Sequence, residues 1–192
     1  MANENGYEIA SMNPGWIHKK KPKRYLDENF TRIIVFFVIN TPCTESSSSG
    51  INIKEYGWDK NTWRNSTLKN KLFDVAGLKR DETFVVAKRV DLMKNACEKG
   101  KVKKNFHKAR SIEKVVIYKS RSNEFLSICN HIRNSFAHGR FSIYEENGEE
   151  IFVMEDGVVR NGRFQVRSRM ILKKSTLVKW IDILEKGPVV DL

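Results

Sequence analysis

The residues best equipped for chemistry lie in one stretch, Glu124-Phe125-Leu126-Ser127-Ile128-Cys129-Asn130-His131-Ile132-Arg133-Asn134-Ser135-Phe136-Ala137-His138-Gly139. On a helix at ~100° per residue, Phe125, Ile128, Cys129, Ile132 and Phe136 fall in one arc and form a core face. Glu124, Ser127, His131, Asn134, Ser135 and His138 gather on another side, as a stripe of groups that donate, accept and titrate. A solvated face more often carries Lys and Glu, so this stripe suits a sheltered site. It reads equally as structure, because a helix C-terminus favours histidine through its dipole and Asn and Ser satisfy local backbone. Arg133 lies off the stripe. Five positions separate it from His138, which places the two ~140° apart on a regular helix. Either the helix ends before His138, or a second copy across a two-fold axis supplies the missing partner.

The elements that must position this stretch follow from patterning. Ser111 to His138 contains neither Gly nor Pro, so a motif helix over 111–138, single or in two abutting pieces, is expected, with Gly139 at its C-terminus. Upstream, Leu26, Phe30, Ile33, Ile34 and Phe37 have helical spacing behind Asp27. A second helix starts near Asp59–Thr62 and stops at Gly77, and a third carries Phe84, Val86, Val90, Met93 and Cys97. Downstream, Phe141 and Ile143, then Asn147-Gly148, then Ile151 and Val153 read as a hairpin. Phe164, Val166 and Met170 to Leu172 add a third strand within 140–172, and a closing helix spans 175–186. Residues 1–24 form a basic arm and 25–187 a single domain. The expected fold is mainly α, a helical bundle with a small antiparallel β-hairpin or three-stranded meander inserted after the motif helix.

The formal net charge of +12 on 192 residues calls for an anionic partner, nucleic acid first. The run from Lys101 to Arg110, with Lys103, Lys104, His107 and Arg110 around Phe106, is either a patch that tracks a nucleic-acid backbone or a solvated loop. Cys43, Cys97 and Cys129 are odd in number and widely spaced, which fits neither a disulfide framework nor a zinc knuckle. With a polar N-terminus and an apolar run of only Ile33 to Ile39, the expected home is the cytoplasm, with no membrane span. No set of carboxylates converges as a two-metal site requires, and no serine occupies a nucleophile elbow. Neither metal nor cofactor is expected.

The order Arg133-Asn134-Ser135-Phe136-Ala137-His138 resembles the motif of the HEPN proteins, which place Arg, a polar residue and then His after four to six intervening positions. The wider run Phe125 to Phe141, with Arg169-Met170-Ile171-Leu172-Lys173 and Leu177-Val178-Lys179-Trp180-Ile181, resembles a plasmid-associated bacterial subfamily over roughly residues 110–186. The resemblance implies a helical bundle, a homodimer through the motif helix, and metal-independent RNA cleavage in a toxin–antitoxin or phage-defence role, with a possible antitoxin or regulatory partner. It implies that Arg133 and His138 are catalytic with Asn134; His131, Ser135 and Glu124, from the polar stripe, are expected to support them. Antitoxin-modified members carry Tyr two residues after the His; Arg140 stands there instead and joins the expected RNA-binding set. The expected chemistry is attack by the RNA 2′-hydroxyl to leave a 2′,3′-cyclic phosphate. His138 would move the proton and Arg133 would balance the developing phosphorane charge. The rival reading is a non-catalytic HEPN-like module that binds RNA or protein. A DNA-binding regulator ranks last, for want of a helix-turn-helix.

Overall fold

A computed structural model of the chain describes residues 26–43, 49–59, 61–64, 66–103, 106 and 112–188; the basic arm expected over 1–24 lies outside them. The fold departs from the helical bundle. A five-stranded sheet runs through the middle in the order β1-β2-β5-β4-β3, with β1 (Phe84–Ala87) parallel to β2 (Lys114–Tyr118) and every other pairing antiparallel. β3 spans Phe141–Glu146, β4 Glu149–Arg160 and β5 Arg163–Lys173. The expected three-stranded meander is therefore part of a larger mixed sheet, and the class is α/β rather than mainly α.

Two segments read as helix are strand. Phe84 to Ala87 begins the sheet instead of a third helix, and the helical part of that segment shrinks to α3 (Met93–Lys99). Lys114–Tyr118 is β2, so the expected motif helix is cut to α4, Glu124–Ala137. The cause is burial on both faces. Val115 and Ile117 point into one core and Val116 into the other, and a strand buried on both sides reads as a continuous apolar run. β1, α3 and β2 form a parallel crossover, which requires a connecting segment of this kind.

The two cores place the helices. α1 (Glu28–Ile34), α2 (Thr67–Ala76), α4 and α5 (Lys174–Lys186) pack against Val115, Ile117, Phe152, Met154, Met170 and Leu172 on one face. α3, with Val102 and Phe106, covers Val116, Val153 and Ile171 on the other. The β-prone run after Arg32 stays helical: Asp27 caps α1 by accepting from the Phe30 amide at 2.8 Å, and α1 passes into a π-helical turn, Val35–Ile39, that buries Phe36 and Phe37. Two indole donors tie the layer together, Trp180 to the Leu72 carbonyl and Trp58 to that of Leu184, each at 2.9 Å. α2 ends at Gly77 and β3 turns into β4 through Asn147 and Gly148, both at positive φ, as an Asn-Gly hairpin requires.

Candidate functional site

α4 begins at Asn123, whose side chain accepts from the Leu126 amide at 2.8 Å, and ends at Ala137. The ending is specified by Gly139 at φ +61°. The Gly139 amide donates to the Phe136 carbonyl at 3.0 Å and the Arg140 amide to that of Ser135 at 2.8 Å, the paired bonds of a Schellman cap. His138 is thereby the C-cap residue, exposed, with its amide on the Asn134 carbonyl at 3.0 Å. The helix therefore ends at Ala137, one residue before His138.

Beneath this turn lies a buried polar chain. His131 is fully buried, its Nδ1 2.7 Å from Asp156 Oδ2 and its Nε2 2.7 Å from the Tyr118 carbonyl. Both partners are hydrogen-bond acceptors, a carboxylate and a backbone carbonyl. Asp156 also accepts from Asn134 Nδ2 at 3.2 Å, and Asn134 Oδ1 accepts from Arg133 Nη1 at 3.1 Å. Burial pushes the Asp156 carboxyl up, but the His131 hydrogen bond and charge, with Asn134 and Arg167, outweigh it and hold it below the usual carboxylate range. The half-buried Arg133 guanidinium is therefore tethered through Asn134 to a fixed carboxylate, while its Nε is shielded from solvent with no hydrogen-bond partner among the described residues.

The other expected residues divide by place. Ser135 is buried and donates to the His131 carbonyl at 2.8 Å, so it and His131 act only through other groups. Glu124 is at the opposite end of α4, ~20 Å along the axis, in a two-pronged ion pair with Arg80 at 2.7 and 2.8 Å and accepting from the Trp63 indole at 3.3 Å. It is not part of this site. Arg140 is: its guanidinium lies 4.0 Å over the Phe164 ring and Nη1 reaches the Gly157 carbonyl at 3.4 Å. Lys103 pairs with Glu98, and its carbonyl accepts from Arg169, so it serves the far face of the sheet. Lys104, His107 and Arg110 lie outside the described residues.

α4 offers little to a second copy. Between Phe125 and Phe136 only Leu126, Arg133 and Asn134 are partly exposed; a two-fold contact through this helix is confined to its last turn.

Asp156 and Arg167 were not anticipated. A signal existed: Glu155-Asp156 interrupts an apolar strand, and an Arg-x-Arg pair, Arg167 and Arg169, follows in the next one. Buried carboxylates require such partners. Glu155 and Arg169 meet on the other face at 3.2 Å, where burial pushes Glu155 up to about 7 against the pull of Arg169.

Among the described residues no three His, Cys, Asp or Glu side chains gather as a metal ion would need, and no helix is long and apolar enough to cross a membrane. No family model, no curated protein and no solved structure matches the chain.

Proposed function

We propose that the chain is an endoribonuclease that cuts RNA without a metal ion, with His138 and Arg133 as its catalytic pair and Asn134 as the positioning group for Arg133. One observation carries this reading: the C-terminal end of α4 bears both the Arg133 guanidinium, held through Asn134 to the buried Asp156 carboxylate, and the exposed His138 at its C-cap. The resemblance of Arg133 to His138 to the HEPN motif supports the choice of reaction, although the mixed sheet is not the helical bundle that resemblance implies. The toxin or phage-defence setting, and an antitoxin or regulatory partner, rest on the resemblance alone.

In the proposed step the RNA 2′-oxygen bonds to phosphorus and the bond to the 5′-oxygen breaks. Neutral His138 takes the 2′-hydroxyl proton. The leaving 5′-oxygen takes a proton from solvent or from the His138 of a second copy docked through the same turn. Arg133 stays charged throughout and offers planar N–H donors to the phosphorane oxygens.

The test is cleavage of RNA in excess chelator, with the ends identified. Wild type yields 2′,3′-cyclic phosphates and leaves DNA of the same sequence intact. His138→Ala, at an exposed position, keeps the fold and loses on the order of 100-fold or more in rate; Arg133→Ala loses a similar factor. Cleavage abolished by the chelator, or indifferent to both substitutions, overturns the proposal. RNA bound but not cut transfers the site to the non-catalytic RNA-binding reading.

A further inference from the structure

Beyond the sheet proper, β4 and β5 continue as a two-stranded ribbon. β3 pairs with β4 only as far as Met154, and β2 pairs with β5 only from Ser168 to Ile171. Among the described residues, 157–160 and 163–166 pair with each other alone, past a register shift at Asp156/Gly157. At ~3.3 Å per residue the ribbon reaches ~13 Å past the bulge. It closes on Asn161 and Gly162, both at positive φ.

Its chemistry is one-signed. From Gly157 to Val166 the sequence carries two Arg and no Asp or Glu. Arg160 is exposed and makes no hydrogen bond or ion pair among the described residues, and Val159 beside it is 66% exposed. The backbone register sets position 160 opposite position 163 at the tip of the ribbon.

The ribbon is also fastened to the turn that bears His138. Arg140 bridges the two, with its hydrogen bond to the Gly157 carbonyl and its guanidinium over Phe164. We infer that this ribbon is an RNA-binding arm, which holds the phosphate backbone through Arg160 and leads the strand across Arg140 toward the last turn of α4. A two-stranded ribbon is a form that nucleic-acid readers use, and the grip is on phosphates, so it carries no sequence preference. The choice of RNA rests on the nuclease reading; the arm itself does not.

The experiment measures binding of a labelled single-stranded RNA by anisotropy, with His138→Ala in every protein so that cutting plays no part. Potassium chloride is varied from about 50 to about 200 mM, and log affinity is plotted against log salt. Arg160→Ala lowers the slope by ~1 and Arg160→Glu by more, while Arg160→Lys restores it. Lys179→Glu, an exposed charge change on α5, is the control. Slopes for Arg160→Glu that match the control overturn the arm. So does an unchanged slope with loss of a dimer in sedimentation, which assigns the ribbon to self-association. If wild type cuts no RNA but the Arg160 slope changes, the nuclease reading falls and the arm stands; the converse result does the reverse.

Discussion

Asn134 has the most consequential job for a residue that touches no reacting atom. Its carboxamide accepts from Arg133 and donates to Asp156, so it converts the fixed position of a buried carboxylate into a fixed position of a half-exposed guanidinium. Asn134→Ala cuts that tether and leaves the His131–Asp156 contact in place. The expected outcome is a stability loss of about 1 kcal/mol, read from the urea midpoint, and a fall in RNA cleavage of 10- to 100-fold, roughly the cost of a misplaced catalytic group. The fall should lie in kcat rather than KM, since charge attraction for RNA is unchanged. A loss confined to stability would make the tether structural only. Asp156→Asn goes further: it strands the buried His131 and is expected to destabilise the fold by about 3–5 kcal/mol. At this scale the sequence shows the histidine, arginine and asparagine, because their spacing on one helix is local information. The partner that organises them is 22 positions away from Asn134 on a strand. Its place depended on a register that no local pattern reveals, although a carboxylate pair inside an apolar strand marks it as needing cations.

Among the elements, the β4–β5 ribbon depends on one small residue at its root. A Cβ at Gly157 would lie 2.4 Å from Phe164 Cζ and 2.6 Å from the Gln165 carbonyl oxygen, and backbone cannot yield there as a flexible side chain can. Gly157→Ala must push Phe164 aside, and with it the ring on which Arg140 rests. The expected cost is about 1–3 kcal/mol, as for other overpacked sites, with RNA affinity reduced alongside. By contrast a Cβ at Gly139 meets nothing within 4 Å, so Gly139→Ala costs only the left-handed backbone, about 1–2 kcal/mol. Thermal melts of the two variants, with RNA anisotropy beside them, separate a packing fault from a capping fault; equal effects on affinity would count against the role given to Phe164. Elements with terminal punctuation are legible in the sequence: α1 behind Asp27, α4 before Gly139, the Asn147-Gly148 hairpin, and α5 before Gly187. β1 and β2 are not. Four and five residues long, they have no Gly or Pro at either end, and burial on two faces erases the alternation that separates strand from helix. The runs Phe84-Val85-Val86 and Val115-Val116-Ile117 favour strand by composition alone.

For the whole molecule, adjacent residues of β4 send their carboxyls into opposite layers with opposite consequences for stability against pH. Glu155 faces Arg169, with Arg140 and Asp156 also acting on it, under the segment that carries Val102 and Phe106. Burial raises it from 4.5 to about 7, so the folded chain keeps a proton that the unfolded chain releases. Its contribution is full below about 4.5 and is lost as pH rises toward about 7. Asp156 is lowered from 3.8; its contribution is present above that value and is lost as pH falls through the folded one. Together they give a stability that declines at both ends, from acid protonation of Asp156 and from ionisation of Glu155 near neutrality. Glu113, also raised by burial against its bonds to the Lys173 amide and Thr176, adds to the neutral-side decline. Glu155→Gln should flatten the fall in urea midpoint between about pH 5 and about pH 7, leaving the smaller slope from Glu113, without changing the acid limb. The amide keeps an acceptor for Arg169, so Val102 and Phe106 should stay docked. A variant with the wild-type slope across that window would show that Arg169 already holds Glu155 ionised in the folded chain, and the neutral-side decline would then belong to Glu113 alone.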